Sequence, residues 1–360
     1  MNVRNCIKPL ATLALSLTVA FGSAAWAGDG GKANIVIVAT GGTIAGTAGS
    51  ATQTVGYTAA KVGVDRLIEA VPDLKNIANV KGEQLFQVAS ESITDEHWLK
   101  LGKRVNALLA QDDVDGVVIT HGTDTMEETA YFLNLVVKSN KPVVLTGSMR
   151  PSTAISADGP MNILNAVTVA SSKEAYGKGV MIALNDKIGG ARDISKTNAV
   201  SLDTFKGLDF GYMGLVVNGE AKFYQASTKK HTVDTEFDIS KLDKLPAVDI
   251  AYAQANANNI AANAFAAAGD MGIVLAGPGD GSTAVVVDEG LAALRKKGIF
   301  IVRSSRTGSG PTMRNGESDD DKLDFVVSDT LNPQKARILL QLALTKTHDT
   351  KQIQRMFYTY

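Results

Sequence analysis

Cysteine is almost absent from this chain: the single one, Cys6, lies within the first 27 residues. If that stretch is a removable leader, the rest of the protein has no thiol, which excludes disulfides, cysteine nucleophiles and cysteine-based metal sites. Histidine is scarce as well. His97, His121, His231 and His348 are the only four, and none pairs at the spacing of a helical zinc site. Net charge is lacking too: 36 basic residues stand against 37 acidic ones, so nothing points to nucleic acid or an anionic membrane as partner. The short clusters Lys229-Lys230 and Asp319-Asp320-Asp321 read as solvated surface. There is no Gly-x-Ser-x-Gly elbow, no G-x-G-x-x-G fingerprint and no Gly-Lys-Ser/Thr phosphate loop. A serine hydrolase, a dehydrogenase and a P-loop enzyme are thereby disfavoured. No solenoid period of roughly 20–50 residues is visible.

What is present begins with an export signal. Arg4 and Lys8 open the chain, Leu10 to Phe21 form a short apolar core, and Ala25-Trp26-Ala27 offers a small-x-small cleavage site. The core falls short of the about 20 apolar residues of a membrane span. Residues 1–27 are therefore expected to be a signal peptide, and residues 28–360 a soluble periplasmic protein. At about 150 residues per domain, that length fits two domains.

Apolar runs and helix-like stretches alternate from residue 34 to about 220. Met126, Ala130, Leu133 and Val137 recur at helical steps, with Thr125 and Glu128 placed for a capping box. A strand at 143–146, a helix from Asn162 to Ser171 and a strand from Val180 to Leu184 follow. Residues 225–246 are polar and charged and read as a linker. Beyond them, strands at 248–252, 273–276 and 299–302 alternate with helices at 260–268, 284–297 and 333–344. The expectation is α/β with two domains: residues 28–224 around a larger parallel or mixed sheet flanked by helices, and residues 247–360 around a smaller one.

Two turns carry the chemistry. Ile35-Val36-Ile37-Val38-Ala39 runs into Thr40-Gly41-Gly42-Thr43, and Val117-Val118-Ile119-Thr120 into His121-Gly122-Thr123-Asp124. Each reads as a buried parallel strand delivering a hydroxyl just past its carboxyl end, where open α/β sheets bind ligands. Taken singly, Thr43 and Thr123 are more simply helix caps, and Asp124 could be the cap itself. A threonine nucleophile needs a base. His121, beside its glycine turn, reads as structural, which leaves lysine or tyrosine. Lys196, after a strand, could reach the same sheet edge, although an exposed surface lysine is the commoner fate.

Several longer motifs carry a resemblance that covers residue 33 to the C-terminus. They are Ala39-Thr40-Gly41-Gly42-Thr43-Ile44-Ala45-Gly46, Ile119-Thr120-His121-Gly122-Thr123-Asp124-Thr125-Met126-Glu127-Glu128, Met149-Arg150-Pro151-Ser152, Ser156-Ala157-Asp158-Gly159-Pro160 and Thr330-Leu331-Asn332-Pro333-Gln334-Lys335-Ala336-Arg337. In these the chain resembles the bacterial type II asparaginases, and within them the periplasmic glutaminase-asparaginases. The resemblance implies hydrolysis of the side-chain amides of L-glutamine and L-asparagine through an acyl-enzyme, without metal or organic cofactor. It implies that Thr43 is the nucleophile and Tyr57 the tyrosine of a mobile lid. Thr123, Asp124 and Lys196 match a second catalytic group in which Lys196 polarises Thr123. Ser90, Glu91 and Asp124 match residues that grip the amino-acid end of the substrate. Glu317, otherwise a solvated acid before Ser318-Asp319, matches an acid near the lid tyrosine. A homotetramer whose subunits pair to build each site is implied as well.

Two positions depart from the asparagine-selective members: Glu91 stands where they often have glutamine, and Ser282 where they often have asparagine. Both lie near the substrate's amino-acid end in the family, and one methylene in a pocket is worth only about 1–3 kcal/mol. Use of both amides is therefore expected. The rival from another class is a periplasmic amino-acid-binding protein without catalysis, which would have no use for a threonine–lysine pair. An amidotransferase subunit acting on misacylated tRNA is a further rival; the export signal and the absence of a basic patch argue against it.

Overall fold

The apolar runs at 33–41 and 116–120 become adjacent strands of one sheet. The computed structural model describes residues 31–360 except 55, 57 and 59, so the leader, Cys6 and Tyr57 lie outside the described residues. Five strands pair in parallel: β1 (Ala33–Gly41), β2 (Ala78–Val88), β3 (Gly116–Thr120), β4 (Val143–Thr146) and β5 (Val180–Leu184). β6 (Lys187–Gly190) turns back antiparallel. A separate ribbon of β7 (Ser195–Lys196) and β8 (Phe205–Lys206) follows, before β9 (Gly214–Val217) and β10 (Glu220–Phe223) complete the sheet. The result is an eight-stranded mixed sheet in the order β10-β9-β6-β5-β4-β3-β1-β2. Its helices are α1 (Val64–Glu69), α2 (Leu74–Ile77), α3 (Asp95–Leu109), α4 (Met126–Val136) and α5 (Gly159–Ala170).

Successive residues of β1 go to opposite faces, as the period of a strand requires. Ile35, Ile37 and Ala39 join the cluster that includes α5, whereas Val36 and Val38 join the one that includes α3 and α4. Both faces are covered, which is why β3, β4 and β5 are buried along their whole length and read as continuous apolar runs.

The smaller sheet is all parallel, in the order β11 (Val248–Tyr252), β12 (Gly272–Gly277), β13 (Phe300–Ser305) and β14 (Val326–Val327). With it go α6 (Ile260–Ala268), α7 (Val285–Arg295), α8 (Asp320–Leu323), α9 (Pro333–Leu344) and α10 (Thr350–Thr359). On α9, Ile338, Leu339, Leu340 and Leu342 are fully buried. They belong to the same cluster as Leu133 of the larger layer and Val274 of the smaller sheet.

Two details differ from the sequence expectation. The helix expected from Asn162 begins at Gly159, because Pro160 falls in the first turn, where its missing N–H removes no helical bond. Residues 225–246 are not solvated throughout. Phe237 and Ile239 enter the core, and Thr235 Oγ1 donates to the Leu135 carbonyl at the end of α4. The apolar residues of this run are scattered among charged ones, which hides their burial from the sequence pattern.

Candidate active site

Strand register brings the two threonine turns together. Ala39 of β1 pairs with Thr120 of β3, and Thr40 Oγ1 donates to the Thr120 carbonyl at 2.8 Å. From β1 the chain proceeds to β2 on one side and later crosses to β3 on the other, so the sheet order reverses here and leaves a crevice at the carboxyl ends. The turns pack against each other. A Cβ on Gly42 would fall 2.3 Å from the Gly122 nitrogen, and Gly42 has φ +85°, so only glycine fits. Gly42 holds the cap position of a single 3₁₀ turn, Thr43–Ala45, and Thr43 is its first residue. Thr43 is therefore not the cap that the simpler reading made it. The Gly42 N–H is bound to the Val88 carbonyl at 3.1 Å, so it is not a candidate oxyanion donor.

A cleft of about 480 Å³ opens over these turns, lined among others by Thr43, Ser90, Glu91, Thr123, Asp124, Arg150 and Lys196. Thr43 and Thr123 are 8% and 4% exposed and form part of its floor. Lys196 is no surface lysine: its side chain is 14% exposed, and its Nζ donates to Thr123 Oγ1 at 3.0 Å and to Asp124 Oδ1 at 2.5 Å. Asp124 is therefore an ion-pair partner with 61% of its side chain open to solvent, not a helix cap. Ser90 sits after β2, the third strand end at this edge. Its Oγ accepts the Asp124 N–H at 3.2 Å and leaves the hydroxyl proton to donate into the cleft. Glu91, next in the same 3₁₀ turn, is exposed at the mouth.

The capping box expected at Thr125 and Glu128 does not form. Thr125 is at the cap position of α4 but donates its hydroxyl to the Ser90 carbonyl at 2.7 Å. That bond serves the site instead of the helix, joining the β2 turn to the β3 turn. Glu128 is left without the box, and burial pushes its carboxyl up to about 7, with neighbouring Glu127 adding to the shift.

His121 is structural, as its place beside the turn implies. Burial drives its imidazole down to about 4. Nδ1 is 2.7 Å from the Gly122 carbonyl, which can only accept, so the neutral ring carries its proton on Nδ1. Nε2 then accepts from Thr129 Oγ1 at 2.9 Å, and Thr129 accepts from Trp98 Nε1 at 2.9 Å. Both nitrogens are occupied, and the ring braces the glycine turn.

Ser282 and Glu317 do not line this cleft. They lie in the loops that follow β12 and β13, at the corresponding edge of the smaller sheet. A fully buried ion pair organises those loops: Arg303 grips Asp320 through two bonds of 2.6 and 2.8 Å. Arg303 also donates to the Asp280 carbonyl, and Asp280 Oδ1 accepts the Met313 N–H. Arg150 also lines the cleft, a place that no sequence pattern of its own assigns to it. Its only signal was the Met149-Arg150-Pro151-Ser152 motif, and Asp158 fixes the loop by accepting the Met149 and Arg150 N–H groups.

Residues 34–229 match the family model described as asparaginase, N-terminal, and residues 247–357 match the one described as glutaminase/asparaginase C-terminal domain. With the mixed sheet, the smaller parallel sheet and the threonine-lined cleft, this defines the class: the chain belongs to the asparaginase family of amidohydrolases. Among its relatives is the glutaminase-asparaginase of Pseudomonas fluorescens biotype A, 50% identical over 99% of this chain and 100% of that protein. The L-asparaginase 2 of Bacillus subtilis (strain 168) is 54% identical over 91% of this chain and 86% of its own length. A crystal structure titled as a probable cytoplasmic L-asparaginase from Campylobacter jejuni superposes with a TM-score of 0.89 at 51% identity, covering 91% of this chain and all of that one (100%).

Proposed function

We propose that this protein hydrolyses the side-chain amides of L-glutamine and L-asparagine to the acids and ammonia, with Thr43 as nucleophile and an acyl-enzyme between the two half-reactions. The observation that carries this reading is the half-buried Lys196 ammonium, shared between Thr123 Oγ1 at 3.0 Å and Asp124 Oδ1 at 2.5 Å, in the same cleft as Thr43. A solute-binding cleft has no need of a lysine polarising a threonine. In a hydrolase, that arrangement manages the proton of the attacking oxygen and of the departing ammonia. Asp124 and Glu91 meet the substrate's α-ammonium, and Ser90 donates to its α-carboxylate. Tyr57, which lies outside the described residues, is assigned a catalytic role on the resemblance alone.

The cleft of one chain lacks Ser282 and Glu317. We infer that a second copy of the chain supplies them, within a homotetramer, and that Ser282 together with Glu91 widens the site to both amides. Export to the periplasm is inferred from the basic, apolar and Ala-x-Ala segments of residues 1–27. The test is ammonia release from L-asparagine, L-glutamine and their D-forms, with kcat/KM for each. Comparable values for the two L-amides are expected. A preference for asparagine above roughly a hundredfold, the top of what one methylene supplies, would remove the dual-substrate claim. No ammonia from either amide would remove the hydrolase.

A further inference from the structure

Lys335 is a buried cation that the proposed reaction does not use. It stands in the first turn of α9, 1% exposed, in the layer between the two sheets. Its Nζ donates to two main-chain carbonyls, those of Arg192 at 2.9 Å and Ile194 at 2.6 Å. Its third partner is Glu127 Oε2 at 3.7 Å. Burial pushes the ammonium below its ordinary range and Glu127 opposes that push. The cap residue of the same helix, Asn332, donates through Nδ2 to Ser195 Oγ at 3.1 Å and to Glu127 Oε2 at 3.1 Å. Gln334 Nε2 reaches Glu127 Oε1 at 3.3 Å.

What these contacts join is specific. Arg192, Ile194 and Ser195 all fall within the four residues that precede Lys196. Glu127 lies one turn after Thr123 and Asp124, on α4, the helix that follows them. A buried lysine needing only charge compensation would be satisfied by Glu127 and water. This one spends two of its three N–H groups on the backbone leading to β7.

We propose that Lys335, with Asn332 and Glu127, is a positioning residue: it locks the strand bearing Lys196 against the helix that follows Thr123 and Asp124, and so sets the lysine–threonine geometry. The inference rests on the role proposed above for Lys196. It assigns a job to the Leu331-Asn332-Pro333-Gln334-Lys335 stretch, which comes from the smaller C-terminal layer yet acts on the cleft of its own chain.

The test compares wild type, Glu127→Gln/Lys335→Met and Asn332→Ser on the full-length protein, with Lys196→Met as reference. The double variant leaves no unpaired charge in the core. The serine keeps the helix cap but is too short to reach Ser195 or Glu127. Each is assayed for kcat and KM with L-glutamine well below its own melting temperature. The double variant should keep KM within about twofold and lose about tenfold or more in kcat, within the roughly hundredfold that a 1 Å misplacement can cost. Asn332→Ser should lose about threefold in kcat on the same basis. A folded double variant with kcat within about twofold of wild type overturns the inference, because Lys335 is then only structural. If the double variant does not fold, an unchanged kcat in Asn332→Ser overturns it equally. If Lys196→Met itself turns over normally, the functional reading fails, a result distinct from an inactive Lys196→Met beside a fully active double variant.

Discussion

Replacing Lys196 by methionine separates catalysis from stability in this cleft. The ammonium lost in Lys196→Met makes one bond to a buried hydroxyl, Thr123 at 3.0 Å, and one to a carboxylate, Asp124 at 2.5 Å. The carboxylate partner has 61% of its side chain exposed, so it remains hydrated when the lysine goes. An ion pair with one open partner is worth about 0–1 kcal/mol, and the hydroxyl bond about 1 kcal/mol net. Methionine keeps most of the packing of the aliphatic stem. The stability loss should therefore stay near 1–2 kcal/mol, roughly the sum of those two small terms. Catalysis should suffer far more. A positioned proton-transfer group contributes about 10²–10⁴-fold, which at about 1.4 kcal/mol per decade is roughly 3–5.5 kcal/mol of barrier. The assay pairs steady-state ammonia release from L-glutamine and L-asparagine with a urea unfolding midpoint. A folded variant with kcat within about tenfold of wild type refutes the assignment of Lys196 as the partner of Thr123, because proton transfer is then handled elsewhere.

Two further outcomes follow from the same geometry. Gly42→Ala must place a Cβ 2.3 Å from the Gly122 nitrogen at φ +85°. The two turns are forced apart, and kcat should fall by about a hundredfold or more while circular dichroism stays native; an active Gly42→Ala would show that the close contact of the turns is dispensable. Acid stability is the second. His121 is held down at about 4, so an unfolded chain with an ordinary imidazole binds a proton below pH 6.5 that the folded protein refuses. Stability is thus lost as pH falls from about 6.5 towards 4, by about 3 kcal/mol from this group. Glu128 works in the opposite direction: raised to about 7 from 4.5, its contribution is present below 4.5 and lost as pH rises through 7. Glu128→Gln should therefore gain up to about 3 kcal/mol at pH 8 and decline more steeply on acidification, as read from urea midpoints at pH 8 and pH 5. Equal midpoints for variant and wild type at both pH values would contradict it.

Much of the large layer was legible because its strands are buried on both faces. Ile35 to Ala39 and Val117 to Ile119 leave no polar residue for a solvent face, and only covered parallel strands tolerate that. The two turns were legible as glycine punctuation after such strands. Three things were not. The Thr125 hydroxyl follows the spacing of a cap but goes to Ser90, since a partner 35 residues away in the chain can outcompete a local one. Lys196 sits in a two-residue strand, too short for any periodicity, and its burial depends on the ribbon formed with Phe205. The placing of Ser282 and Glu317 away from the Thr43 cleft reflects which sheet each loop leaves, and residue spacing carries no information on that.

The central claim is that Thr43 attacks the amide. The most direct measurement is acid quenching of the enzyme during turnover of L-glutamine, followed by proteolysis and mass spectrometry of the peptides containing Thr43 and Thr123. The account predicts a glutamyl ester on Thr43, absent in Thr43→Ala, which should fold normally and release no ammonia. A glutamyl ester on Thr123, or sustained ammonia release by Thr43→Ala, would contradict it.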